Sequence, residues 1–264
     1  MKSVVIASAL VVSLSSGAEE IEDPWALMPA LPASCYQSDD DFVDQAYAAM
    51  EVLAAERARQ DGINQELSQQ MANMDPMEHQ QRMMDFMMKN PQEARKYMEE
   101  VAGVGTRGNE FLPQMQEETL ALQTARDELN AEYDVAVKAL DDAYAGSTAG
   151  TFEDPRKFDS DLAKYHAAVD AYNAGYESVC AKLWQDGQYR DWLSRHEALQ
   201  RRTAAWEAES DLVTQNYAIL GIDATNYRST SGLTAAHRQV EAAAQIYNRR
   251  KYQPVPKDDF VPGP

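Results

Sequence analysis

Apolar residues recur at alternating spacings of three and four over most of the chain, the period of an α-helix with one buried face. The longest run predicts a helix over residues 188–220, with Gly221 where a C-terminal cap would lie. Another helix is predicted from the Asp-Pro pair at 154–155 to the Asp-Gly turn at 186–187. Because this turn is short, we expect these two helices to form an antiparallel hairpin.

Three further helices are predicted from the same pattern. They cover residues 40–72, where Gly62 is a candidate break, residues 109–144 and residues 233–250. Long helices joined by short connections predict an all-α fold. We expect an elongated antiparallel helical bundle with coiled-coil-like heptad packing.

The stretch between residues 74 and 98 holds seven of the twelve methionines. Asp-Pro at 75–76 and Asn-Pro at 90–91 each combine a helix-capping residue with proline in the first turn, and a glutamate follows three positions after each cap. These signals predict two short helices, 76–89 and 91–102, ended by Gly103 and Gly105. Residues 74–105 would form a small Met-rich two-helix insertion in the bundle.

Three interpretations of this insertion stay open. The methionines could fill irregular gaps in the core, or form an adaptable contact surface for a protein partner or an apolar segment. His79, Met83 and Met87 share one helix face, and thioethers with an imidazole suit copper or silver. The contact-surface interpretation involves Met77, Met83, Met84, Phe86, Met87, Met88 and Met98.

Two Met-rich short helices with Asp-Pro or Asn-Pro caps resemble the client-binding modules of certain chaperone cofactors and ubiquitin-shuttle proteins. The resemblance covers residues 74–98. In that family, paired short helices form an apolar groove that binds hydrophobic segments. The resemblance implies a similar mode of binding here.

The ends of the chain differ in composition from its helical part. Residues 1–18 have the layout of a signal peptide, with one lysine, a short apolar run and small residues before an acidic pair. Residues 19–38 form a Pro-containing extended segment, residues 39–251 form the bundle, and residues 252–264 form a Pro-rich tail. We therefore expect a periplasmic or secreted protein.

The net charge and the hydropathy of the chain argue against two classes of partner, nucleic acids and membranes. The formal net charge of −19 argues against nucleic-acid binding, which needs cations facing phosphates. No segment after the first has 18 uninterrupted apolar residues, so we expect no stable membrane insertion. The oligomeric state does not follow from the sequence.

The two cysteines and a search for catalytic motifs limit the kinds of reaction that the sequence supports. In an oxidising compartment, Cys35 and Cys180 would form one disulfide. The sequence contains no H-E-x-x-H, G-x-S-x-G or glycine-rich phosphate loop. We therefore favour an exported interaction or scaffold protein, with a copper-binding protein as the alternative. A hydrolase using a carboxylate pair is a further alternative, and enzymatic activity is the less favoured class.

Overall fold

In the computed structural model, residue 21, residues 23–31 and residues 41–250 are described, and these residues are mostly helical without a strand. The prediction of an all-α bundle is confirmed. The predicted signal peptide, Cys35 and the Pro-rich tail lie outside the described residues. The helices are α1 (Asp41–Ala72), α2 (Pro76–Lys89), α3 (Pro91–Thr148), α4 (Phe158–Cys180), α5 (Gln188–Glu209), α6 (Val213–Leu220) and α7 (Ser231–Arg250).

The longest feature of the fold is an antiparallel seam between α3 and the three helices α4, α5 and α6. Polar pairs across this seam, from one end to the other, are Tyr97–Asn216, Glu118–Arg202, Asn130–Tyr189 and Asp141–Tyr172. Residue numbers rise along α3 while they fall along the partner helices, as in an antiparallel arrangement. The three shorter helices therefore follow one another along α3, which at 58 residues is about 87 Å long.

The prediction that α4 and α5 form an antiparallel hairpin is wrong, because both helices run in the same direction along α3. The connection between them is a π-helical turn, Ala181–Gln185, in which Leu183 and Trp184 are buried. Gly187, with φ of 94°, then starts α5. The helical turn and its buried anchors keep the chain against α3, so the Asp-Gly signal marks a joint between helices and not a reversal.

The predicted helix over 188–220 is interrupted after Glu209. The carboxylate of Asp211 accepts the backbone N–H of Val213 at 2.9 Å and also the hydroxyl of Tyr227. These bonds stabilise the start of a new helix, α6, so the chain does not follow the continuous heptad pattern as one helix. The predicted cap at Gly221 is confirmed, since its φ is 70°.

The predicted boundary between a short helix 91–102 and a longer helix starting near 109 is also wrong. Helix α3 continues through the glycines at 103 and 105, and likewise α1 continues through Gly62. In this stretch Gly108 is buried against the Trp206 ring, and Phe111 stacks on Trp206 with centroids 5.4 Å apart. Packing against α5 here outweighs the low helix propensity of glycine. The Met-rich region therefore holds one short helix, α2.

Helices α1 and α7 pack as an antiparallel pair beside α5. The rings of Phe42 and Tyr247 meet at 4.7 Å, and at the other end the Gln60 amide donates to the Asn226 carbonyl at 2.9 Å. The contact between them is rich in small residues, which permit close approach of the two backbones. Its buried members are Ala46, Ala49, Leu53, Leu233, Ala236, Val240 and Ala244.

A polar pair is built into the contact between α5 and α7. His196 Nδ1 donates to Gln239 Oε1 at 2.7 Å, and the fully buried Gln239 in turn donates to the Leu193 carbonyl. The imidazole also stacks on Trp192, with centroids 5.0 Å apart. Burial lowers the pKa of His196 below its ordinary value of 6.5, and the charge of Arg126 lowers it further, while the bond to Gln239 opposes the shift.

We predict that stability falls as the pH drops below about 6.5, because the unfolded His196 then binds a proton more readily than the folded one. The contribution of the neutral imidazole is fully present above the unfolded pKa and is lost on acidification toward the folded pKa. Thermal unfolding of the wild type and of His196→Gln between pH 7.5 and 5 checks this. The variant should show the shallower dependence, and identical slopes would contradict the assignment.

We also predict that Gly175→Ala destabilises the seam. A Cβ at Gly175 would overlap a methyl carbon of Leu140 on α3, and the Leu140 side chain must shift to admit it, so we expect a loss of about 1 kcal/mol. Gly62→Ala is the matched control, since nothing lies within 4 Å of its Cβ position. It should stabilise α1 by about 0.5–1 kcal/mol in urea unfolding. Equal effects of the two changes would exclude a close approach at Gly175.

Candidate functional site

Helix α2 is set at an angle to α3 by the residues at its two ends. At its start the Asp75 carboxylate accepts the backbone N–H of Met77 at 2.7 Å, and Pro76 occupies the first turn. At its end only Asn90 separates it from α3, which begins at Pro91. The predicted cap at Asp75 thus forms as expected, whereas Asn90 precedes α3 without a side-chain capping bond. As the single linking residue, Asn90 fixes α2 close to the start of α3.

A cleft of about 820 Å³ lies between α2, α3 and α6. On the α2 side it is lined by Arg82, Asp85, Phe86 and Lys89, which recur at helical spacing and so form one face. The guanidinium of Arg82 donates to the Leu220 carbonyl at the end of α6. The polar face of α2 is therefore the face that points toward the rest of the protein.

The charges lining this cleft are balanced by ion pairs. Lys89 pairs with Asp85 at 2.9 Å, and Lys96 pairs with Glu100 at 3.6 Å. Glu100 also accepts the Gln215 amide of α6 at 2.7 Å. Because each of these lysines has an acidic partner, the cleft offers no concentrated positive charge for an anionic ligand.

The apolar face of α2 points to solvent. Met84, Met87 and Met88 each lie two residues after a cleft-lining residue, and two residues correspond to about 200° around a helix. Met84 and Met87 are each 47% exposed and Met88 is 70% exposed. Met77, 76% exposed, belongs to the same face. We call these four residues the outer methionine face.

None of the 14 residues of α2, all of which are described, is buried. An amphipathic helix normally turns its apolar side to the core. Here neither side of the helix is buried: Arg82 and Asp85, beside the cleft, are 41% and 43% exposed, and each residue of the outer methionine face is at least 47% exposed. Core packing therefore does not account for the outer methionine face. Among the other predicted contact residues, Met83 and Phe86 are half-buried, and Met98 is exposed on α3.

The alternative metal ligands do not come together as one set. His79 and Met87 are eight residues apart on α2, which separates them by about 12 Å along the axis. Within the described residues, no three His, Cys, Asp or Glu side chains are grouped so as to hold a metal ion. A copper site formed by His79, Met83 and Met87 would therefore need a different arrangement of α2.

The sequence did not identify the contribution of α6 to this site. Residues 213–220 carry the same heptad pattern as α5, so the pattern predicts one continuous helix. The available signal was the Ser-Asp pair at 210–211, because both residue types favour helix starts over helix interiors. A helix break at this Ser-Asp pair would predict a separate short helix over residues 213–220, which could form one wall of the cleft.

The disulfide remains a prediction. Cys180 is buried at the end of α4 with 3% of its surface exposed, and Cys35 lies outside the described residues. The hydrolase alternative also remains untested.

Comparison with known proteins finds no matching family model, no matching curated protein and no matching solved structure. The resemblance to paired client-binding helices applies only to α2, since the second capping sequence begins the 58-residue helix α3. Within the described residues, no helix is both long and apolar enough to cross a membrane.

We predict that replacing the outer methionine face by glutamine leaves the fold intact. The fourfold variant Met77→Gln, Met84→Gln, Met87→Gln and Met88→Gln should change the free energy of unfolding by no more than about 0.5 kcal/mol per site, as for other surface substitutions. In contrast, Met115→Gln places an amide in the core, where Met115 is 8% exposed, and should cost more than about 2 kcal/mol. Chemical denaturation measures both. A large loss in the fourfold variant would mean that these side chains are buried.

Proposed function

We propose that this chain is an exported helical scaffold that binds another envelope or secreted protein through the outer methionine face of α2. The observation that carries the proposal is the exposure of four methionines, between 47% and 76%, on the side of α2 opposite to Arg82, which contacts the end of α6. Exposed apolar surface of this kind is unfavourable in isolation and marks interaction sites. Covering it would provide a driving force for association.

The size and chemistry of the face suit a partner helix. Fully burying one methionine side chain contributes roughly 1.5–3 kcal/mol, so four partly exposed methionines can supply a substantial part of a binding free energy. Methionine is flexible, and Met-rich surfaces adapt to different apolar sequences. Helix-in-groove binding uses anchors at spacings of three, four and seven, and Met84 has these spacings to Met87, Met88 and Met77 respectively.

The acidic balance of the chain favours a partner with cationic residues around its apolar contact. Charges at the rim of an interface mainly affect the rate and specificity of association. With a formal net charge of −19, this protein would attract a basic partner and repel a second copy of itself. A heterologous partner is therefore the form of the proposal that we favour.

Export is part of the proposal and is supported by the pattern of residues 1–18. In an oxidising compartment, a bond between Cys35 and Cys180 would tie the N-terminal segment to the buried joint between α4 and α5. This staple would stiffen the scaffold without contributing to the contact surface.

We predict that a photo-reactive residue replacing Met88 crosslinks to the partner when the protein is expressed in its own cells. The same probe replacing Asp127, an exposed residue of α3, should give no such product, because it lies along the seam far from α2. Introducing glutamine at 77, 84 and 87 should abolish the crosslink at position 88. A partner captured equally well at both positions, or retained after the glutamine changes, would place the contact elsewhere.

A further inference from the structure

The outer methionine face contains a subset that is more compact than the rest. Met87 and Met88 lie three and four residues after Met84, so each is a neighbour of Met84 on the helix surface with Cβ atoms roughly 5–6 Å apart, and the two consecutive residues flank Met84 on either side. Along the axis they span about 6 Å, half the span of the set that includes His79. Three thioether groups thus project from adjacent turns on one side of α2.

These three side chains are free to converge. Each is at least 47% exposed, so no core packing fixes its rotamers. Methionine has three rotatable bonds beyond its Cα, and its sulfur is polarisable. Thioether sulfur is a soft ligand that favours Cu(I) over hard cations such as Mg²⁺ or Ca²⁺. We propose that Met84, Met87 and Met88 form a three-thioether site for a soft monovalent cation, Cu(I) or Ag(I).

The surroundings favour this site over other places on the described surface. No cluster of three His, Cys, Asp or Glu side chains among the described residues would compete for the ion. The carboxylate nearest in sequence, Asp85, is paired with Lys89 at 2.9 Å. Thioether ligands are neutral and do not compensate the charge of the ion, and this costs less for a cation of charge +1 than for one of charge +2. This inference goes beyond the proposed docking function and does not depend on it.

The test uses Cu(I) alone under anaerobic conditions, with a chromogenic Cu(I) chelator as competitor and the full-length chain as the sample. We expect one Cu(I) per chain, and at least a tenfold weaker affinity in the variant Met84→Leu, Met87→Leu and Met88→Leu. Leucine keeps the apolar surface and removes only the sulfur. The controls are Met98→Leu, an exposed methionine of α3, and His79→Gln, and neither should change the affinity.

Three results would overturn the site: no stoichiometric binding, binding that survives the leucine changes, or an equal loss in His79→Gln. The leucine variant also separates this site from the docking function. With the photo-reactive residue placed at position 77, this variant should lose Cu(I) and still crosslink to the protein partner, whereas glutamine at 84, 87 and 88 should abolish both.

Discussion

Packing of α3 against the consecutive helices α4 and α5, continued by hydrogen bonds from α3 to α6, is the frame on which the other helices of the described structure are placed. Its central anchor is Trp192, which is buried and whose indole N–H donates to the Leu122 carbonyl at 2.7 Å. Tyr189, also buried, adds a bond from its hydroxyl to Asn130 at 2.7 Å. These aromatic side chains fill the seam with apolar surface, and each of their polar atoms forms a hydrogen bond with α3. The bonds fix the register of α5 against α3.

The register set by this seam carries through to α2. Because α6 continues the line of α5, it meets the first turns of α3, where Tyr97 donates to Asn216. The end of α6 then offers the Leu220 carbonyl to Arg82, and this contact orients the charged face of α2 inward. The methionines are left outside as a consequence.

Periodicity and composition predicted the helical class, the start of α2 at Asp75-Pro76 and the cap at Gly221. Helix ends were harder to predict where tertiary contacts decide them. Gly103 and Gly105 lie inside α3 because the neighbouring stretch packs on Trp206, and no local signal reveals that contact. The orientation of α2 was beyond sequence reasoning for a related reason. The methionines wrap so much of the helix that their pattern fits an inward or an outward apolar face.

Residue-by-residue oxidation of methionine measures most directly whether the outer methionine face of α2 is turned to solvent. Brief exposure of the purified protein to dilute peroxide, followed by mass spectrometry, gives an oxidation rate for each thioether, and Met115 is an internal buried reference. We expect Met77, Met84, Met87 and Met88 to be oxidised much faster than Met115. Protection of Met84 and Met88 to the level of Met115 would contradict this expectation.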